Sequence, residues 1–241
     1  MEDKILILGK GETVRYFYGM SKESGIVVAH LDSIDSVGSC IDEVNIIVQF
    51  PEEDLSLSVP DEMYSLKESQ VWLAESIDTS VTSIASRIAT PERFVGFSLS
   101  GLFPEKKMIE LIGGERTSAD ALEAAKTLFQ KLQFTTVISQ DRPGHILSRV
   151  VASMINEAIY MNMHGLGRME DIDQMMKLAA NFPMGPFEYA DAVGLDRVLK
   201  TLEWMTEELG PHYRPCPVLR RKVEAGFLGR KAGKGFYTYE S

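Results

Sequence analysis

The apolar pattern of this 241-residue chain changes once, near Asp141. Before that point, short β-branched apolar runs alternate with segments of helical periodicity. Beyond it helical periodicity dominates, and a strand signal returns only at 236–239. Strands that alternate with helices typically pair in parallel through βαβ units. The pattern therefore predicts an α/β fold, with a reduced doubly wound parallel sheet domain over residues 1–140 and an all-helical domain over residues 141–241.

The individual elements follow from the same periodicities. Strands are predicted at 4–8, 26–31, 44–48, 71–74, 93–99, 108–112 and 135–138. Helices are predicted at 12–21, 81–88 and 118–132 in the first domain, and at 146–163, 169–180, 187–209 and 218–225 in the second. The segment 51–60, with three acidic residues and two prolines, is interpreted as an exposed loop.

Composition excludes several classes of protein. The formal net charge of −10 argues against a nucleic-acid-binding surface, which must be basic. No apolar run approaches the roughly 18 residues that a membrane span needs. Cys40 and Cys216 lie far apart with no CxxC spacing, and the four histidines show no metal-ligand spacing, so we expect neither a disulfide nor a metal site. The acidic start predicts no signal peptide, and a cytoplasmic location is expected.

A glycine turn follows the first predicted strand. Gly9 and Gly11 stand where a dinucleotide-binding turn keeps its first two glycines, and Asp32, 23 residues after Gly9, suits a carboxylate that binds ribose hydroxyls. Val14 replaces the third glycine, and Glu12 puts a carboxylate at the helix terminus that should meet the phosphates. Two interpretations stay open: an NAD site weakened by Glu12 and Val14, and a vestigial nucleotide-fold turn.

A set of sequence motifs covers the later part of the chain. They are FVG (94–96), MIELI (108–112), DRPG (141–144) with Arg149, NFPMGPFEYAD (181–191), VGLD (193–196), YRP (213–215), GFLGRK (226–231) and GKGFY (233–237). The stretch from Phe94 to Tyr239 resembles the C-terminal part of the 3-hydroxyacyl-CoA dehydrogenase family. The resemblance implies a Rossmann-like domain that binds NAD, and a helical domain that dimerises and closes over the substrate.

The same resemblance implies the positions of the catalytic groups. The family oxidises the 3-hydroxyl of an acyl-CoA with a histidine base that a glutamate orients. Aligning 94–96 to the family motif places Ser98 at the histidine position and Glu110 at the glutamate position. Ser148 stands at a family asparagine. Serine is too weak a base to replace histidine without a base of its own.

Further segments depart from the family pattern. Gly101-Leu102 replaces an Asn-Pro pair, and residues 75–78 replace an Asn-Thr-Ser run. His145, three residues before Ser148, is considered as a relocated base on the same helix face. The connection at 33–43 is too short for the helical hairpin that helps the family to hold CoA, which weakens the expectation that acyl-CoA binds.

Two functions remain open from the sequence. One is a catalytically degenerate relative, a pseudoenzyme with a binding or regulatory role, which forms a homodimer through its helical domain or a heteromer with an active relative. The other is NAD-dependent oxidation of a 3-hydroxyacyl-CoA to a 3-oxoacyl-CoA by a rearranged active site.

Overall fold

The computed structural model describes residues 4–32, 38–51, 66–76, 79–99 and 107–239, and for residues 38–40 the backbone only. The chain divides into two compact units, Met1–Arg142 and Pro143–Ser241, called here the sheet unit and the helical unit. This division lies two residues beyond the domain boundary predicted at 140/141. Most of the predicted loop at 51–60, and the altered residues at 77–78 and 101–102, lie outside the described residues.

The sheet unit is built on seven strands, and each predicted strand is confirmed with its ends shifted by two residues at most. They are β1 (Lys4–Leu8), β2 (Val27–Leu31), β3 (Ile46–Gln49), β4 (Val71–Glu75), β5 (Phe94–Leu99), β6 (Met108–Gly113) and β7 (Thr135–Gln140). Their order is β2-β1-β3-β4-β5-β6-β7. All neighbours pair in parallel except β5 and β6, which are antiparallel. The chain order reverses beside β1, as in Rossmann-like sheets.

Helices cover both faces of the sheet. Helices α1 (Glu12–Glu23) and α3 (Ala119–Lys131) bury Phe17 and Phe129 in one core with Ile7 and Val95. Helix α2 (Val81–Ala85) buries Val81 and Ile84 in a second core that contains Trp72 and Phe94. Side chains of a strand alternate between faces, so the central strands are apolar throughout. The doubly wound prediction is confirmed.

The short helix α2 is held by a residue from the end of β7. The Asp141 carboxylate accepts hydrogen bonds from Ser80 Oγ at 2.7 Å, from the Val81 N–H at 3.0 Å and from the Thr82 N–H at 2.8 Å. Burial by itself raises the pKa of Asp141, but these hydrogen bonds outweigh it and hold the pKa below its usual value. Asp141 thus caps the positive end of α2 from a distant part of the sequence. The helix ends at Ala85, three residues before its predicted end.

The helical unit contains five α-helices among its described residues. They are α4 (Leu147–Met163), α5 (Met169–Leu178), α6 (Pro186–Val193), α7 (Leu195–Leu209) and α8 (Pro217–Glu224). The single helix predicted at 187–209 is in fact two, because Gly194 adopts a φ of 107° that interrupts it. No helix in the described ranges is both long and apolar enough to cross a membrane.

The strand predicted at 236–239 does not form, and a buried carboxylate binds this segment instead. Asp191 accepts the N–H groups of Phe236 and Tyr237, each at 2.8 Å, and the hydroxyl of Tyr239 at 2.9 Å. This stretch forms an isolated β-bridge instead of a strand. The prediction is wrong because a side chain, not a neighbouring strand, satisfies the backbone of 236 and 237.

Replacing Asp141 with Asn should lower the free energy of unfolding of the sheet unit by about 1–2 kcal/mol near pH 7, since the amide retains only one acceptor oxygen for the cap. A group with a lowered folded-state pKa stabilises the fold above its unfolded pKa, about 3.9 for Asp, and loses this contribution as pH falls through the folded pKa. The difference in stability between the wild type and the Asp141→Asn variant should therefore shrink in acid.

Denaturant unfolding in a Trp204→Phe background measures this, because buried Trp72 then reports the sheet unit alone. Glu68→Gln, which changes an exposed carboxylate in a turn, is the matched control and should leave the midpoint unchanged. A loss for Asp141→Asn that is equal at neutral and acid pH would contradict the assigned role of the charge.

Candidate functional site

The glycine turn lies at the carboxyl end of β1. Gly9 and Gly11 have φ values of 130° and 103°, which favour glycine, and Gly11 is the N-cap of α1. A Cβ at Gly9 would lie 3.1 Å from the Phe50 Cβ, whereas a Cβ at Gly11 would meet no atom of the described residues within 4 Å. Gly9 is thus required by the close packing of the turn against Phe50, and among the described residues the space beside Gly11 is open.

Strand β2 brings Asp32 to this turn. Leu8 pairs with Leu31, and the Gly9 N–H donates to the Leu31 carbonyl at 3.1 Å. Asp32 follows directly, and its side chain is 72% exposed. The three predicted cofactor residues Gly9, Gly11 and Asp32 therefore share one edge of the sheet, beside the strand where the chain order reverses.

Val14 and Glu12, the two residues expected to weaken NAD binding at the turn, differ in their surroundings. Val14 is buried, and its Cγ2 lies 3.4 Å from the position of a Cβ on Gly9. It fills the space between α1 and β1, so the fold accommodates it without a third glycine. Glu12 is exposed in the first turn of α1, where its carboxylate interacts with the positive end of the helix dipole.

Strand pairing places Ser98 beside Glu110. The two residues are direct partners in the antiparallel pairing of β5 and β6, and the Cβ atoms of such partners lie about 4.5–5.5 Å apart. Both project from the face that α2 covers, as do Gly96 and Ile112. Glu110 is 8% exposed and Ser98 is half-buried. The predicted pair is thus brought together, close to the carboxyl end of β5.

The histidine of the sheet unit lies far from Ser98 and Glu110. His30, on β2, is the one histidine of residues 1–142. Four strand spacings separate β2 from β5, which is about 19 Å. His30 therefore does not reach Glu110. It lies instead at the glycine turn, where Nε2 is 3.0 Å from the Gly9 carbonyl oxygen and 3.5 Å from Asp32 Oδ1.

His145 and Ser148 belong to the helical unit. His145 has a φ of 50° and precedes α4, which begins at Leu147. Its ring is buried and packs edge-on against Trp204 at a centroid distance of 5.6 Å. The helical i, i+3 relation to Ser148 that motivated the relocated-base hypothesis does not apply, because His145 is outside the helix. Ser148 is half-buried in the first turn of α4.

Sequence reasoning assigned no function to His30 or Asp141. For His30 a signal was present: residues two apart on a strand share a face, which places His30 and Asp32 together. Asp141 had no such local signal, because its partners are about sixty residues away. Within the described part of the chain, no group of three His, Cys, Asp or Glu side chains is arranged to hold a metal ion.

The chain is similar to several known proteins. Residues 144–239 match the 3-hydroxyacyl-CoA dehydrogenase C-terminal domain. A 3-hydroxybutyryl-CoA dehydrogenase of Bradyrhizobium diazoefficiens is 38% identical over 218 residues, covering 90% of this chain and 73% of the relative. A probable 3-hydroxybutyryl-CoA dehydrogenase of Bacillus subtilis is 43% identical over 161 residues, covering 66% of this chain and 56% of the relative.

Solved structures give the same result. The crystal structure of (S)-3-hydroxybutyryl-CoA dehydrogenase from Ralstonia eutropha superposes with a TM-score of 0.84 and 25% identity over the full length of both chains. Since the first relative exceeds 30% identity and is matched over more than two thirds of its length, the chain belongs to the 3-hydroxyacyl-CoA dehydrogenase family.

Proposed function

We propose that this protein is an NAD-binding, dimeric member of its family with a regulatory or binding role, in which dehydrogenation by the family mechanism is lost or strongly impaired. The observation that carries the proposal is the pairing of Ser98 with Glu110. The glutamate stands at its family position, and its direct partner is a hydroxyl where the family motif has an imidazole.

The chemistry explains why this pairing matters. Oxidation of a secondary alcohol removes a hydride from carbon and a proton from oxygen, so a base must accept the proton as the hydride leaves. Imidazole titrates near neutral pH and serves as that base. A serine hydroxyl needs a base of its own before it accepts a proton. With His30 about 19 Å away, no histidine of the sheet unit takes this place.

Support for NAD comes from the other end of the site. Gly9 lets the turn pack closely against Phe50, the space beside Gly11 at the N-terminus of α1 is open among the described residues, and Asp32 presents an exposed carboxylate beside them. These residues fit a dinucleotide: the turn and the helix N-terminus for the pyrophosphate, and Asp32 for ribose hydroxyls. When bound, NAD supplies a nicotinamide ring that accepts hydride.

Titration with NADH, followed by cofactor fluorescence, tests this part of the proposal. We expect saturable binding in the micromolar range, and Asp32→Ala should weaken it about tenfold, the effect of losing one hydrogen bond to a charged group. Asp120→Ala, at the exposed start of α3, is the matched control and should bind as the wild type does.

Absence of binding at millimolar NADH would contradict the NAD part of the proposal. The search would then turn to a protein partner. Equal affinities for wild type and Asp32→Ala would remove Asp32 from the site but leave cofactor binding intact.

The second candidate function is NAD-dependent oxidation of a 3-hydroxyacyl-CoA by a rearranged site. The position and near-complete burial of Glu110 favour it, since this residue persists where an active member needs it. The two candidates differ in one measurable property, which is the turnover of 3-hydroxybutyryl-CoA with NAD.

The wild type should show no turnover above background, and Ser98→His combined with Ser148→Asn should gain detectable NADH formation. The expected reason is that imidazole beside Glu110 restores the base. Ser98→Ala with Ser148→Asn is the matched control and should stay inactive. Wild-type turnover at rates typical of enzymes, about 1–1000 per second, would refute the proposal in favour of the second candidate. If the Ser98→His, Ser148→Asn double variant folds and binds NADH and acyl-CoA without turnover, more than these two groups is missing.

The dimer part of the proposal is supported by exposed apolar side chains on the helical unit. Met175 and Leu178, near the end of α5, are 64% and 76% exposed, and Leu147, Val150 and Phe182 are also exposed. Met175 and Leu178 are three residues apart on α5 and so share one face of the helix, and contiguous exposed apolar surface marks interaction sites. A second copy of this chain is the proposed occupant, with a heteromer with an active relative as the alternative.

Light scattering coupled to gel filtration should give the mass of a homodimer at micromolar concentration. Leu178→Asp should shift the protein toward monomer, because a buried, unpaired carboxylate is unfavourable in an interface. Ile138→Asp, on the exposed edge strand β7 of the sheet unit, is the control and should not change the mass. A monomeric wild type would exclude the homodimer, and co-elution with an active relative would then test the heteromer.

A further inference from the structure

We propose that His30 is a positioning residue for the nucleotide, which fixes the backbone of the Gly9 turn and orients the Asp32 carboxylate toward the ribose next to the adenine. The inference rests on the proposed binding of NAD and names how one half of the dinucleotide is held. Three contacts of the His30 ring carry the inference: with the Gly9 carbonyl, the Asp32 carboxylate and the Tyr18 ring.

The contact with the turn fixes the position of the ring proton. Nε2 of His30 lies 3.0 Å from the Gly9 carbonyl oxygen. A carbonyl oxygen only accepts, so Nε2 carries the hydrogen and donates it. The Gly9 N–H already donates to the Leu31 carbonyl at 3.1 Å. Strand β2 therefore holds Gly9 from both sides, once through its backbone and once through the His30 side chain.

The contact with Asp32 concerns the ligand more directly. The same Nε2 is 3.5 Å from Asp32 Oδ1, an electrostatic contact at this distance. The Asp32 side chain is 72% exposed, so its rotamers are only weakly limited by packing against the described residues. Attraction of Oδ1 toward His30 favours one orientation and leaves Oδ2 available to accept from a ribose hydroxyl. Ordering the carboxylate before binding lowers the entropic cost that binding must otherwise meet.

The ring is itself held by helix α1. Its centroid lies 5.6 Å from that of Tyr18, and Lys22 Nζ lies 4.7 Å above the Tyr18 ring. The His30 side chain is 26% exposed, so most of it is enclosed between α1 and β2. The glycine turn, the helix that follows it and the carboxylate are thus linked through one side chain.

The proposal predicts which replacements are tolerated. Glutamine carries an uncharged N–H donor at about the reach of Nε2, whereas asparagine is shorter and leucine has no donor. His30→Leu should lower the affinity for both NADH and ADP-ribose by about tenfold, the equivalent of one hydrogen bond. Nicotinamide mononucleotide, which lacks the adenosine half, should bind the variant and the wild type equally. His30→Gln should restore most of the ADP-ribose affinity, and His30→Asn should not.

Hydrogen–deuterium exchange of the nucleotide-free protein supplies a second readout. The Gly9 amide, which donates to the Leu31 carbonyl at 3.1 Å, should exchange faster in His30→Leu and His30→Asn than in the wild type, and His30→Gln should retain its protection. His212→Leu, which removes an exposed histidine of the helical unit, is the control for both readouts. If His30→Leu does not fold, the comparison of the Gln and Asn variants decides the same question.

The outcomes separate this inference from the function on which it rests. A wild type that binds no NADH overturns the proposed cofactor, and with it the nucleotide-positioning role, while exchange still shows whether His30 fixes the turn. A wild type that binds NADH while His30→Leu binds ADP-ribose equally overturns the positioning role alone. Loss of ADP-ribose affinity with rescue by glutamine, and unchanged mononucleotide binding, supports it.

Discussion

The requirement to cover a sheet on both faces organises the sheet unit. The inner strands carry large apolar side chains on both sides, so each face needs its own layer of helices. On one side α1 and α3 supply long amphipathic surfaces. On the other, the five-residue α2 is too short to be stable alone. Its position depends on Asp141 at its N-terminus and on Gly96, where a Cβ would overlap Val81.

That layering also determines where chemistry is possible. Parallel strands place their carboxyl ends along one edge, and the residues that follow them converge there. Gly9 and Asp32 directly follow β1 and β2 at this edge, and Ser98 lies near the end of β5. Strand β6 runs in the opposite direction and places Glu110 beside Ser98. This edge of the sheet therefore contains two groups of residues, one proposed to bind the cofactor and one at the position of the family's catalytic pair. The group at β1 and β2 contains the glycine turn and the carboxylate proposed for the dinucleotide, and in the group at β5 and β6 the strand partner of Glu110 is a serine.

The sequence predicted the parts of the fold that local periodicity encodes. All seven strands follow from apolar runs, and the Ser98–Glu110 pairing follows from a twelve-residue spacing taken from the family. Features that depend on contacts distant in the chain were missed. Residues 236–239 have the apolar and aromatic character of a strand. The Phe236 N–H, however, donates to the Asp191 carboxylate, 45 residues earlier in the chain, and not to a neighbouring strand. His145 was placed on a helix whose first turn begins only at Leu147, because periodicity locates a helix better than its first residue.

The Asp191 contacts also bear on how such proteins are recognised. This carboxylate is buried, and both Gly229 and Gly235 lie so close to Asp191 that a Cβ on either would overlap it. The motifs around 181–191 and 226–237 are thus mutually dependent. Substitutions in the second motif that remove the donors to Asp191 leave its buried carboxylate unpaired, and a side chain at Gly229 or Gly235 clashes with Asp191. Such coupling preserves the most recognisable part of the chain for reasons of folding, whatever happens to the residue beside Glu110. Membership of the family, when inferred from this region, is therefore a statement about architecture and ancestry, and it gives no information about turnover.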